Sequence, residues 1–179
     1  MKKALAILTG LVMVFAVAAA AVAEEPAGPV FSMGVQFNMD MNQVKELVNL
    51  PNPEFDREKT RGSVTFDELE YENVKTGEGF TGDVKYMFVD NRLVAMHFDM
   101  KDGTSYDAVK AQAVELYGEA VPFDAAKIGN AKYAIDDDGD LKDCKEMIEA
   151  NGFTIVLEKD RDGDVDVTIL DPAAAYASK

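Results

Sequence analysis

One cysteine, one histidine and four serines are all that this 179-residue chain offers for thiol, imidazole or serine-nucleophile chemistry. With Cys144 alone, no internal disulfide can form, and the apolar core must be sufficient by itself. His97 has no second histidine to complete a zinc set, and none of Ser32, Ser63, Ser105 and Ser178 sits in a Gly-x-Ser-x-Gly elbow. A glycine loop able to cradle phosphate is missing too. We therefore expect a non-catalytic protein. The one enzymatic option is His97 as a general base or metal ligand, and whether Cys144 lies near it is a question for the fold.

Positive charge is the second shortage, with 18 Lys and Arg against 33 Asp and Glu. Nucleic acids and anionic lipid surfaces are held by Lys and Arg, so an acidic chain is repelled by both. Basic proteins, cations and neutral surfaces stay open as partners, and the charge also serves plain solubility.

What the chain does have begins at its N-terminus. Met1-Lys2-Lys3, an apolar run over residues 4–20 and Ala21-Val22-Ala23 before Glu24 are the three parts of a secretory signal peptide cleaved after Ala23. An uncleaved membrane helix is the competing reading, since it needs about 20 apolar residues. Thr9-Gly10 and the terminal alanines favour cleavage. The expected product is periplasmic or secreted, and removing Lys2 and Lys3 takes its formal charge from −15 to −17. Residues 24–30 read as a linker, 31–171 as one domain, and 172–179 as a flexible tail.

Within the domain, alternation of Phe31, Met33, Val35 and Phe37 with polar residues predicts a strand. Asp40 and Gln43 are spaced as a capping box for a helix carrying Met41, Val44, Leu47 and Val48. Leu50-Pro51-Asn52-Pro53 ends it. From Gly62, Val64 and Phe66 share one parity while Leu69 and Tyr71 share the other, which predicts a bulge near Asp67-Glu68. Val84, Tyr86 and Phe88 should face the same side as Val94, Met96 and Phe98, so a three-residue loop at Asp90-Asn91-Arg92 is expected. Thr104 and Asp107 are placed to cap a second helix over Val109, Ala113, Leu116 and Tyr117, stopped by Gly118.

Lys132 to Ile135 reads as a short strand. Leu141, Cys144 and Ile148 then recur at helical spacing, making Cys144 a small buried side chain on a third helix ending at Asn151-Gly152; an intermolecular disulfide is the functional alternative. A last hairpin sets Phe153, Ile155 and Leu157 against Val165, Val167 and Ile169, with its turn at Arg161-Asp162-Gly163. The sum is an α+β protein: an antiparallel sheet with helices packed on one face, in two tandem helix-plus-hairpin halves near 31–103 and 104–171.

Gly34-Val35-Gln36-Phe37-Asn38-Met39-Asp40, Val44-Lys45-Glu46-Leu47, the run from Lys85 through Asp90-Asn91-Arg92-Leu93, and Leu116-Tyr117-Gly118-Glu119 resemble exported bacterial proteins. The class is that of the SmpA/OmlA (BamE-like) outer-membrane assembly lipoproteins and the β-lactamase-inhibitor-protein fold. The resemblance implies helix-plus-sheet architecture and binding of another envelope or secreted protein. It implies no site residue. Ala23-Glu24 stands where lipoprotein members carry a lipidated cysteine, so no stable membrane anchor is carried over.

Acidic clusters are the remaining candidates for chemistry. Asp136, Asp137, Asp138 and Asp140 surround Gly139, and Asp160, Asp162, Asp164 and Asp166 alternate around Gly163. Both offer the oxygen density that Ca²⁺ requires, which makes a calcium-bound or calcium-stabilised protein the alternative function, with Asp136, Asp138, Asp140, Asp160, Asp162 and Asp164 as ligands. Neither follows the EF-hand: with Gly163 at loop position six, position twelve is Ile169. The competing readings are a polar loop at the first cluster and an Asp-Gly turn at the second.

Overall fold

The computed structural model describes residues 33–76, 79–135, 142–150 and 152–176. The expected signal peptide and linker lie outside these residues, as do Asp136 through Asp140.

Asp40 does cap the first helix. Its carboxylate accepts from the amides of Asn42 and Gln43, and Gln43 reaches back to the Asp40 amide, closing the capping box of α1 (Met41–Val48). Asn49, left-handed, ends it. Upstream, residues 33–39 are turns and loop rather than the expected strand. Val35 is nevertheless fully buried, with Met33 and Phe37 packed beside it. Alternation there reports burial of a loop, anchored where Asn38 and Met39 exchange backbone hydrogen bonds with Leu93.

Among the described residues eight strands follow and form one antiparallel sheet. In chain order they are β1 (Glu54–Arg61), β2 (Val64–Lys75), β3 (Thr81–Val89), β4 (Arg92–Met100), β5 (Val121–Pro122), β6 (Lys142–Ala150), β7 (Phe153–Asp160) and β8 (Val165–Leu170), arranged β1-β2-β3-β4-β8-β7-β6-β5. Among the described residues the helices are few and short: α1, α2 (Tyr106–Tyr117), the single turn α3 (Ala125–Ile128) and a 3₁₀ segment, Gly129–Ala134.

The expected α+β plan, helices on one face of two helix-plus-hairpin halves, is therefore corrected. The sheet dominates, and both of its faces are covered. On one face Leu69, Tyr86, Phe98, Ile155 and Val167 pack under α1 and α2 through Val44, Val48, Val109 and Ala113. On the other, Phe66, Met87, Ala95, Met147 and Val156 pack under Ile128, Ala131, Ile135 and Tyr176. Strands buried on both faces lose the apolar-polar alternation from which a one-sided layer was inferred.

The same fact explains β2. Its parity change at Asp67-Glu68 is not a bulge in that strand: Val64 and Phe66 serve one core, Leu69 and Tyr71 the other. The irregularities lie opposite it in β1, between Asp56 and Lys59, and further along, between Tyr71 and Val74.

In the β3-β4 hairpin, the expected three-residue loop is replaced by two residues and a bulge. Val89 pairs with Arg92, and Asp90 and Asn91 have φ of 49° and 59°, the left-handed pair of a type I′ turn. Parity is restored one step later, because Met87 pairs with Ala95 and Phe88 with Leu93, leaving Val94 as the extra residue. Tyr86 and Met96 thus share a face as expected, while Val94 joins the opposite core. The closing hairpin does use the three residues 161–163, since Lys159 pairs with Val165 and Asp160 donates its amide to the Asp164 carbonyl.

Two helix boundaries also move. Ser105, not Thr104, caps α2 by accepting from the Ala108 amide; the Thr104 hydroxyl donates to the Lys101 carbonyl. The third helix expected over 141–150 is strand β6, and the expected strand at 132–135 falls in the 3₁₀ segment and its end. Ala150 pairs with Phe153 where β6 meets β7, and the expected helix end at Asn151 falls outside the described residues. Leu141, Cys144 and Ile148 mimic a helical face because β6 carries Cys144, Glu146 and Ile148 on one side of the sheet.

The C-terminal segment packs against the sheet at Tyr176. That side chain is buried, meets Phe66 edge to face, and donates its hydroxyl to the Val94 carbonyl at 2.9 Å. Of the flexible tail expected over 172–179, Tyr176 is held by the residue that the β4 bulge displaces, and 177–179 lie outside the described residues.

Candidate functional site

Asp160, Asp162 and Asp164 sit at the β7-β8 turn. One oxygen of Asp160 accepts from the amides of Gly163 (2.7 Å) and Asp164 (2.8 Å), so this carboxylate is spent on the hairpin turn. Asp162 and Asp164 are both exposed, and the Asp160 charge raises the pKa of Asp164. Among the described residues, no group of three His, Cys, Asp or Glu side chains is arranged to hold a metal ion. Asp136, Asp138 and Asp140 fall outside the described residues.

His97 and Cys144 are on opposite faces of the sheet. His97 is 6% exposed, its Nδ1 shares a 3.0 Å hydrogen bond with the Thr168 hydroxyl, and its Nε2 is 3.8 Å from Asp166. Cys144 is half-buried beneath α2. Its thiol donates to Tyr106 Oη at 3.3 Å, and Glu146 Oε2 accepts from both Tyr106 (2.7 Å) and Lys110 (2.6 Å). Lys110, then Tyr106, hold the Glu146 carboxyl below its usual pKa, and burial, followed by Cys144 and Glu146, pushes the Tyr106 phenol up. This cluster fastens α2 to β6.

Cross-strand pairing also assembles a row of acids that no linear motif announces. Asp83 pairs with Asp99, Asp99 with Asp166, and Asp166 with Glu158, on four successive strands β3, β4, β8 and β7. Like charges directly opposite each other repel. Lys101 lies 3.4 Å from Asp83, and Lys145 lies 2.8 Å from Glu158, which is 1% exposed. The signal for this row was hidden in the β4-β8 contact, between strands far apart in the chain.

Asp99 shows the repulsion. Desolvation first, then the charges of Asp166, Asp83 and Asp164, push its pKa from 3.8 to about 6. The folded state then holds the Asp99 proton more tightly than the unfolded chain. This contribution to stability is complete below pH about 3.8 and lost as pH rises through about 6. Asp99→Asn is expected to stabilise the protein at pH 7 by about 1 kcal/mol, allowing for solvent screening at this exposed position, and to have little effect at pH 4. Urea melts at the two pH values would read the difference; equal effects at both would remove the repulsion account.

A further surface lies where α1 meets the sheet edge. Among the described residues the exposed large apolar side chains are Leu47, Leu50, Phe55 and Leu116, and three of these follow one another from α1 into β1. The Phe55 ring is flanked by Lys45 at 5.3 Å and Arg57 at 5.1 Å, a cation-aromatic stack on an acidic protein. Tyr71, Tyr86, Tyr106 and Tyr117, by contrast, pack in or against the core. Phe55 carries no periodic signal, because β1 alternates charge rather than hydrophobicity.

No protein-family profile, curated protein or solved structure matches the chain significantly. The described residues contain no helix long and apolar enough to cross a membrane.

Proposed function

We propose that this chain is an exported, non-catalytic binding module that engages another envelope protein, as its BamE-like sequence phrases imply. The observation that carries the reading is the α1-β1 shoulder. Leu47, Leu50 and Phe55 are 47%, 38% and 37% exposed and are bordered by Lys45 and Arg57. Apolar and aromatic anchors with an arginine at their border are the composition of a protein interface. A non-catalytic role is supported by the commitments of the polar groups: His97 to Thr168, Glu146 to Tyr106 and Lys110, Asp160 to its own turn.

The test is site-specific photo-crosslinking in the native envelope. A photoreactive side chain in place of Leu50 should give a discrete adduct with a heterologous protein, and one in place of the more exposed Leu116 should not. Leu47→Glu should abolish the adduct. Equal labelling at both positions, or an adduct indifferent to Leu47→Glu, would defeat the shoulder as the binding surface.

A further inference from the structure

The strand β1 ends the sheet among the described residues, and its eight residues, Glu-Phe-Asp-Arg-Glu-Lys-Thr-Arg, are exposed except for the half-buried Arg61. We propose that two copies of this chain pair antiparallel through β1, with a twofold axis between Arg57 and Glu58, joining two sheets into one. The inference is independent of what the α1 shoulder binds.

Charge complementarity is the first argument. Laid against its own reverse, the strand places Glu54 opposite Arg61 of the second copy, Asp56 opposite Lys59, Arg57 opposite Glu58, and Phe55 opposite Thr60. Every charged side chain meets its opposite, and symmetry repeats each pair. Slipping the register by one residue destroys this. One way, Asp56 meets Glu58 and Arg57 meets its own copy; the other way, Arg57 meets Lys59 and Glu58 meets its own copy. Like charges directly across a ladder are destabilising, so the sequence selects one register and disfavours both neighbours.

Backbone geometry is the second argument, and it is independent. A twofold axis perpendicular to a sheet places a residue of a regular strand opposite its own copy, so an axis between two residues would put side chains on the wrong faces. A bulge at the axis removes the conflict. The bulge is there: pairing with β2 jumps from Asp56-Glu68 to Lys59-Phe66, so Arg57 and Glu58 together oppose Asp67. Glu58 takes φ of 55°, and its amide donates to the Asp67 carboxylate at 3.2 Å.

The result is a matched phase in the two arms of β1. Glu54, Asp56, Lys59 and Arg61 pair with Glu70, Glu68, Phe66 and Val64, alternate residues of β2, and so share one face and one hydrogen-bonding phase. Phe55 and Thr60 pair with Leu69 and Thr65 and share the other. Each residue therefore meets its complement from the same face. Within one copy Lys59 already lies 3.0 Å from Asp56, so dimerisation would close a ring of four alternating charges across the axis.

A charged, bulged edge can equally serve to keep sheets apart. The two roles make opposite predictions. A single edge strand buries less than a standard interface, so the dimer is expected to be weak and salt-sensitive, with Kd of order 10–100 µM at low ionic strength. Sedimentation equilibrium of the purified chain should show this association. Asp56→Lys and Lys59→Asp should each, alone, weaken it at least tenfold by facing like charges. Mixed one to one, these variants should form a heterodimer, because each supplies the charge that the other lacks. Both positions are exposed, so folding is not at stake. A wild-type chain that is monomeric at millimolar concentration, single variants that still self-associate, or a mixture that does not associate would overturn the proposal.

Discussion

Tyr176→Ala is expected to be among the most damaging single substitutions in this protein, costing about 3–5 kcal/mol of stability. Two losses combine. The buried ring leaves a void beside Phe66, which it meets edge to face at a centroid distance of 6.4 Å. The Val94 carbonyl, displaced from the β-ladder by the bulge, keeps the Asp171 amide but loses the phenol that also donates to it. Tyr176→Phe separates the parts, because it retains the ring and should cost only about 1 kcal/mol. Chemical denaturation of the three proteins measures both steps. An alanine variant within about 1 kcal/mol of wild type would show that the C-terminal segment does not contribute to the core in solution.

Gly82→Ala is the second large effect. Gly82 pairs with Met100 where β3 meets β4, and a Cβ there would lie on the backbone carbonyl oxygen of Asp99. No rotamer change relieves a clash with backbone, so one of two central strands must shift. The expected cost is about 3 kcal/mol, at the upper end for overpacking, with a fall in Tm of roughly 10 °C for a domain of this size. Gly103→Ala offers the contrast: its φ of 83° strains any side chain, but no atom lies within 4 Å of the added carbon. It should cost about 1 kcal/mol from the backbone alone. Thermal melts should therefore rank Gly82→Ala well below Gly103→Ala, and the reverse order would refute the close approach.

Local chemistry was legible wherever one short stretch carries its own cause. Asp40 and Gln43 close their capping box, Gly118 ends α2, and the three-residue turn at 161–163 follows from the odd parity of Leu157 and Val167. Parity alone was ambiguous at Asp90-Asn91, because a longer loop and a shorter loop with a bulge satisfy it equally. Helical spacing misled at Cys144, since a strand with Cys144, Glu146 and Ile148 on one face presents apolar residues at the same interval of four. The candidate calcium residue Asp160 was visible as an acid, but its role as acceptor for Gly163 and Asp164 depends on the turn geometry. The acid row at Asp99 had no signature because β4 and β8 are distant in the chain, and the Phe55 shoulder had none because β1 alternates charge rather than hydrophobicity.

By itself the sequence determined the shortage of thiol, imidazole and cationic side chains, the capping box at Asp40, the turn at 161–163, and the self-complementary order of charges in β1. These depend on residue identity and on spacings of a few positions. The tertiary structure decided that both faces of the sheet are covered, that His97 and Cys144 stand on opposite faces, that four acids share a row, and that a bulge falls at the centre of β1. Each of those requires knowing which strands are neighbours, and pairing across the sheet is set by the closure of the whole core, not by any local pattern.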